Sequence, residues 1–167
     1  MTDKYSEERA IPKIPMCGKA PFELRFDGYS LRIIGATGTN GNLIFSAVSG
    51  RPNENKGFDY SVERQKIPRQ GPIPVGEYWI QPSQIWENSP VRSTRNPYVA
   101  WGHYRVTIHP YPSTETYGRG GFFIHGGTIS GSAGCIDLTV SIVQFIEQLD
   151  KLLGGRPKCY IPLHVRY

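Results

Sequence analysis

Glycine and proline interrupt this chain so often that only residues 139–153 combine freedom from both with an apolar period of about 3.6 residues. Ile142, Phe145, Ile146, Leu149, Leu152 and Leu153 fall on one helical face, and Gly154-Gly155 supply the stop. The rest reads as short strands joined by turns. The 19 glycines, 14 prolines and 10 tyrosines among 167 residues favour that pattern and exclude an all-helical bundle. A chain of this length makes one ordinary domain and buries a core without a disulfide or metal staple.

Residues 1–21, with Pro12, Pro15 and Pro21, read as an extended N-terminal arm, and residues 22–167 as the folded domain. Phe22, Leu24 and Phe26 alternate with Glu23, Arg25 and Asp27. Asp27-Gly28 then turns the chain into a second strand over 29–34, a hairpin signal. The turn Gly38-Thr39-Asn40-Gly41 leads into a strand over 43–48, and 49–71 is a long polar loop. Further strands are expected over 76–81, 103–109, 122–125 and 158–167. Along 103–109, Tyr104, Val106 and Ile108 share one face while His103, Arg105, Thr107 and His109 share the other. The expectation is a mainly β, mostly antiparallel, sandwich-like domain with one packed C-terminal helix.

Net charge is +5, from 19 Lys and Arg against 14 Asp and Glu, but no two basic residues are adjacent. Nucleic-acid binding wants a concentrated basic stripe and has no support here. A scattered basic surface suits an anionic polymer such as a cell wall, or simply water. No run approaches the roughly 20 apolar residues of a membrane span, and the charged N-terminal stretch does not read as a signal or transit peptide. Three cysteines (Cys17, Cys135, Cys159), no CxxC and four scattered histidines give no metal-site pattern. No cofactor is expected.

The chemistry lies in one segment. A strand delivers His125 into a glycine-rich loop that returns ten residues later at Cys135, within Ser132-Ala133-Gly134-Cys135-Ile136. A nucleophilic cysteine needs a neighbouring base and a partly exposed, electropositive setting. Small residues around Cys135 argue against tight burial and would let a substrate carbonyl approach. The backbone N–H groups of Gly134 and Cys135, close to the helix start, are candidates for an oxyanion hole. Ser132 reads as a loop-shaping hydrogen-bonder. Cys159 shares a strand face with Ile161, Leu163 and Val165 and reads as core, and Cys17 lies in the arm. Trp79, Trp86 and Trp101 could stack on sugars, with packing the plainer reading.

His125-Gly126 followed by Ser-x-Gly-Cys-Ile resembles the YkuD-type L,D-transpeptidase signature. Gly71-Pro-Ile-Pro-Val-Gly76-Glu-Tyr, then Arg119-Gly-Gly-Phe-Phe-Ile-His125-Gly, then Ser-x-Gly-Cys-Ile is similar, in that order, to the type VI secretion L,D-transpeptidase effectors. Ser49-Gly50 with Asn53 and Asn55 beyond fits as well, so the likeness runs from about residue 22 to 138. The short spacing from His125 to Cys135 suits this toxin branch. Housekeeping members carry Arg after Cys-Ile where this chain has Asp137, which makes Arg119 the candidate for gripping a substrate carboxylate.

The resemblance implies an antibacterial effector that acts on peptidoglycan stem peptides through a Cys135 thioester. His125 would be the base, oriented by the Gly126 carbonyl. It further implies a cognate immunity protein, a secretion-apparatus partner, and action in the periplasm of a target bacterium. Two readings stand beside it: a Cys-His amidase that uses His164 instead, and a catalytically inactive wall-binding module. In the first, His164 shares its strand face with Tyr160, Pro162 and Arg166, an ordinary solvated surface.

Overall fold

The computed structural model describes residues 13–36, 43–87, 102–157 and 159–167. The first part of the expected arm (residues 1–12), the turn at 38–41 and Trp101 lie outside the described residues. In chain order the strands are β1 (Gly18–Lys19), β2 (Glu23–Phe26), β3 (Ser30–Ile34), β4 (Ile44–Ser46), β5 (Val48–Ser49) and β6 (Gly76–Ile80). There follow β7 (Ile85–Glu87), β8 (Tyr104–Thr107), β9 (His109–Pro110), β10 (Phe123–His125), β11 (Ile136–Asp137) and β12 (Cys159–Val165). Helix α1 (Val62–Gln65) is a single turn inside the long polar loop, and α2 (Ile142–Leu153) is the helix expected near the C-terminus.

These strands form two sheets. One runs β4-β3-β2-β12-β6-β9, with β1 also paired to β12, and the other runs β5-β11-β10-β8-β7. The fold is mainly β with one packed helix. Most pairs are antiparallel, but β12 pairs in parallel with both β1 and β2, and β10 pairs in parallel with β11. Strand β1 adds Gly18 and Lys19 to the edge of β12, so the end of the expected arm is part of the sheet.

Strict alternation explains the core. Leu24 and Phe26 on β2 and Ile161, Leu163 and Val165 on β12 are essentially buried, while Tyr160, Pro162 and His164 are only partly covered. Val106, Ile124 and Ile136 bring the second sheet into the same core, and Phe145, Ile146 and Leu149 bring α2. Phe145 meets the Phe45 ring edge-on at 5.4 Å. Gly154 ends α2 at φ +67°, where its N–H bonds the Asp150 carbonyl.

Two expected strands turned out to be broken. The chain over 43–48 splits into β4 and β5 around buried Ala47, so one strand edges each sheet. The chain over 103–109 splits at Ile108: β8 pairs with β7 and β10, whereas β9 crosses to β6. That crossing seats His109 against Trp79, ring centroids 4.3 Å apart, with its Nε2–H donated to Gln84 Oε1 at 2.7 Å.

Burial there pulls the His109 pKa down to about 4. The unfolded chain therefore binds this proton first, near pH 6.5, and the folded protein loses stability as pH falls from there toward about 4. A shift of this size corresponds to about 3 kcal/mol once both states are protonated. Thermal unfolding followed between pH 7 and 4 should show this acid limb, and His109→Gln should flatten it.

Candidate active site

His125 closes β10 and Asp137 closes β11, and the parallel register sets the two directly side by side. Directly paired residues point to the same face, and Cys135 stands just before β11, two residues from Asp137. The register therefore brings the segment that carries Cys135 beside the strand end that carries His125. Cys135 is 7% exposed and His125 3%. Small neighbours did not keep Cys135 open: the chain before β10 lies over it, and Sγ is 3.9 Å from the Gly121 carbonyl.

The imidazole is held by its own strand end. His125 Nδ1 lies 2.6 Å from the Gly126 carbonyl. A carbonyl can only accept, so Nδ1 carries the hydrogen and Nε2 keeps its lone pair. Burial pulls the His125 pKa down, while the Gly126 bond and then the Asp137 charge pull it back. Gly126 tolerates no side chain, since a Cβ would stand 2.4 Å from Ile142 Cγ2 and 2.5 Å from the Thr139 carbonyl. The first turn of α2 thus packs on Gly126. Between Cys135 and α2 along the chain come β11 and a 3₁₀ turn, Thr139–Ser141, so the helix does not begin directly after the cysteine.

Ser132 ties the segment before the nucleophile. Its hydroxyl donates to the Cys135 carbonyl at 2.7 Å and lies 3.4 Å from the Gly134 nitrogen, and its N–H bonds the Gly50 carbonyl at 2.9 Å. Asn53 works within its own loop, accepting from the N–H groups of Asn55 and Gly57.

Arg119 is not a free arm. Its Nη1 donates to the carbonyls of Gln65 (2.6 Å) and Pro72 (2.7 Å), and its Nη2 to those of Gly71 (2.8 Å) and Ala133 (3.4 Å). The guanidinium also lies over the Phe122 ring, 5.6 Å from its centroid. At Gly134, where φ is +122°, a Cβ would stand 2.4 Å from Arg119 Nη2. The donors expected to grip a substrate carboxylate are committed to backbone, and they join the long polar loop to the nucleophile segment. Three of the four partner carbonyls lie some fifty positions away in sequence, so no local signal marks them.

The other candidates lie elsewhere. His164 belongs to β12, where Nδ1 faces a Glu77 carboxylate oxygen and Nε2 lies 2.9 Å from Glu23 Oε2. Cys159 is half-buried against the core, and Cys17 accepts from Gln81 Nε2 at 3.4 Å. Trp79 is fully buried, whereas Trp86 is exposed. Among the described residues, no group of three His, Cys, Asp or Glu side chains is placed to hold a metal ion. No helix among them is long and apolar enough to cross a membrane.

The Tlde1 domain model matches residues 45–157, which include every residue of this site. The chain belongs to the Tlde1 domain family. This is the type VI effector, L,D-transpeptidase-like family that the ordered motifs resemble. No curated protein matches the chain in sequence. Among solved structures, the Tlde1 chain aligns with Bd1075 of Bdellovibrio bacteriovorus at 14% identity and a TM-score of 0.48, covering 92% of this chain and 52% of that one. It aligns with an L,D-transpeptidase of Xylanimonas cellulosilytica at 15% identity and a TM-score of 0.43, covering 97% and 68%. The chain spans about half the length of the Bdellovibrio protein.

Proposed function

We propose that this domain is a cysteine L,D-carboxypeptidase and L,D-transpeptidase, with Cys135 as nucleophile and His125 as base. The observation that carries the reading is the β10–β11 register, which pairs His125 with Asp137, two residues from Cys135, while the Nδ1 bond to the Gly126 carbonyl leaves Nε2 as the basic nitrogen. Nε2 takes the thiol proton as Sγ attacks the carbonyl joining the diaminopimelate L-centre to the terminal D-alanine. Negative charge gathers on the carbonyl oxygen, and the N–H groups of Gly134 and Cys135 are the backbone donors assigned to it. The C–N bond then breaks, and the proton on Nε2 passes to the departing amine. D-alanine leaves and a thioester remains.

What resolves the thioester sets the product. Water gives a tripeptide stem, a free D-amino acid gives an exchanged stem, and another stem amine gives a crosslink. Loss or exchange of the fourth-position D-alanine starves ordinary crosslinking, which suits an effector delivered to the periplasm of a competitor. Its partners would be a secretion-apparatus component and an immunity protein. Arg119 is assigned to holding the nucleophile segment against the loop carbonyls. The His164 alternative has less support, because both ring nitrogens face carboxylates and neither is free to take a thiol proton.

Mass spectrometry of tetrapeptide muropeptides incubated with the protein tests the reading. Loss of D-alanine is expected without additive, and a stem carrying D-methionine when that amino acid is supplied. A cut between other stem residues would make the protein an amidase, and unchanged muropeptides would remove the enzymatic reading.

A further inference from the structure

Asp137 takes part in none of the steps above, yet its side chain is wholly buried, with Oδ1 3.9 Å from His125 Nδ1. A buried carboxylate is costly unless it is hydrogen-bonded or paired. Here Oδ2 accepts from the Gly131 N–H at 2.9 Å and Oδ1 from the Thr139 N–H at 2.8 Å. Those two N–H groups bracket the nucleophile. Gly131 stands four residues before Cys135 and Thr139 four residues after it, so one side chain ties both ends of the segment. The backbone repeats the tie on the base's side, where the Leu138 N–H bonds the His125 carbonyl at 2.8 Å.

We propose that Asp137 is the positioning residue of this site, closing the Gly131–Thr139 segment around Cys135 and favouring the protonated form of His125 through its charge. The proposal rests on Cys135 and His125 being the working pair. When the thiol proton moves to Nε2, the imidazolium forms beside the Asp137 carboxylate, and the pair of charges replaces a neutral ring beside a lone anion. Asp137 takes no proton. Burial pushes the Asp137 pKa up, and the imidazolium charge and the Thr139 and Gly131 N–H bonds pull it back, holding the carboxylate while Nε2–H is later passed to the leaving amine. The charged groups set against His125 are Asp137 from β11 and Arg105 from β8, its cross-strand partner, and the proposed nucleophile Cys135 stands two residues before Asp137. Arg105 opposes the protonated ring and Asp137 supports it.

Histidine NMR titration in a Cys135→Ala background, with and without Asp137→Asn, reads the electrostatic half directly. The His125 titration should move to lower pH when the carboxylate is replaced. In the protein with its thiol, iodoacetamide alkylation of Cys135 at neutral pH should slow about tenfold, the equivalent of one pH unit. On muropeptides, kcat should fall while KM holds within about twofold. A folded Asp137→Asn protein with an unmoved His125 titration and unchanged alkylation would overturn the proposal. If that variant does not fold, the Asp137 carboxyl is followed by carbon NMR in unsubstituted protein and in His125→Gln. Its titration should rise when the imidazolium is removed, and equal titrations would overturn the proposal equally. The two readings fail separately: an inert protein on muropeptides with a shifted His125 titration refutes only the enzymatic reading, and active protein with an unmoved titration refutes only this one.

Discussion

Cys135→Ala should reduce muropeptide turnover to background, because no other thiol is near His125 in the described fold. Cys159 lies in the other sheet, and Cys17 is bonded by Gln81 beside β12. Cys17→Ala and Cys159→Ala should keep turnover. Since Cys135 is buried rather than set on an open loop, the alanine variant should lose about 1 kcal/mol of packing. In a chain of this size that lowers the unfolding midpoint by about 2–4 °C. The measurement is therefore paired: turnover by mass spectrometry and thermal unfolding of the same preparation. A second readout is growth of bacteria carrying the protein with an added periplasmic signal, which should lyse only when Cys135 is present. Cytoplasmic expression should be harmless, since the polymer lies outside. Full turnover in Cys135→Ala would end the thioester mechanism.

The second large effect separates two histidines. His125→Ala should lower kcat by about 10²–10⁴-fold, the usual range for removing a general base. Nucleophile and base act as one unit, so Cys135→Ala combined with His125→Ala should lose little beyond the single changes. His164→Ala should change turnover by no more than about twofold. Its cost falls on stability instead, because Glu23 on β2 and Glu77 on β6 would lose the ring that bridges them across β12. Each of these groups is partly exposed, which keeps that cost small. Activity lost in His164→Ala and kept in His125→Ala, with an internal stem cut, would favour the amidase.

A buried histidine satisfied by a carbonyl and a catalytic base share the same Nδ1 bond. Sequence alone offers both readings for His125. The bond to Gly126 does not choose between them; what favours the base is the β10–β11 register, which pairs His125 with Asp137, two residues from Cys135. That register joins two strands separated by a ten-residue loop, and no local pattern encodes it.

What the sequence determined by itself is whatever depends on neighbours along the chain. Alternation placed Leu24, Phe26, Ile161, Leu163 and Val165 inside, the apolar period of residues 142–153 made α2, and Gly154 stopped it. The ordered motifs around His125 and Cys135 named the family. Only the tertiary structure decided which distant groups share a low-dielectric interior. It put the Arg119 guanidinium on the carbonyls of Gln65, Gly71 and Pro72, split the 103–109 segment between two sheets, and set Asp137 beside His125. The physical reason is one of range. Helix and strand periodicity are local rules that any short window obeys, whereas pairing register and the burial of charge are settled by contacts between segments far apart in the chain.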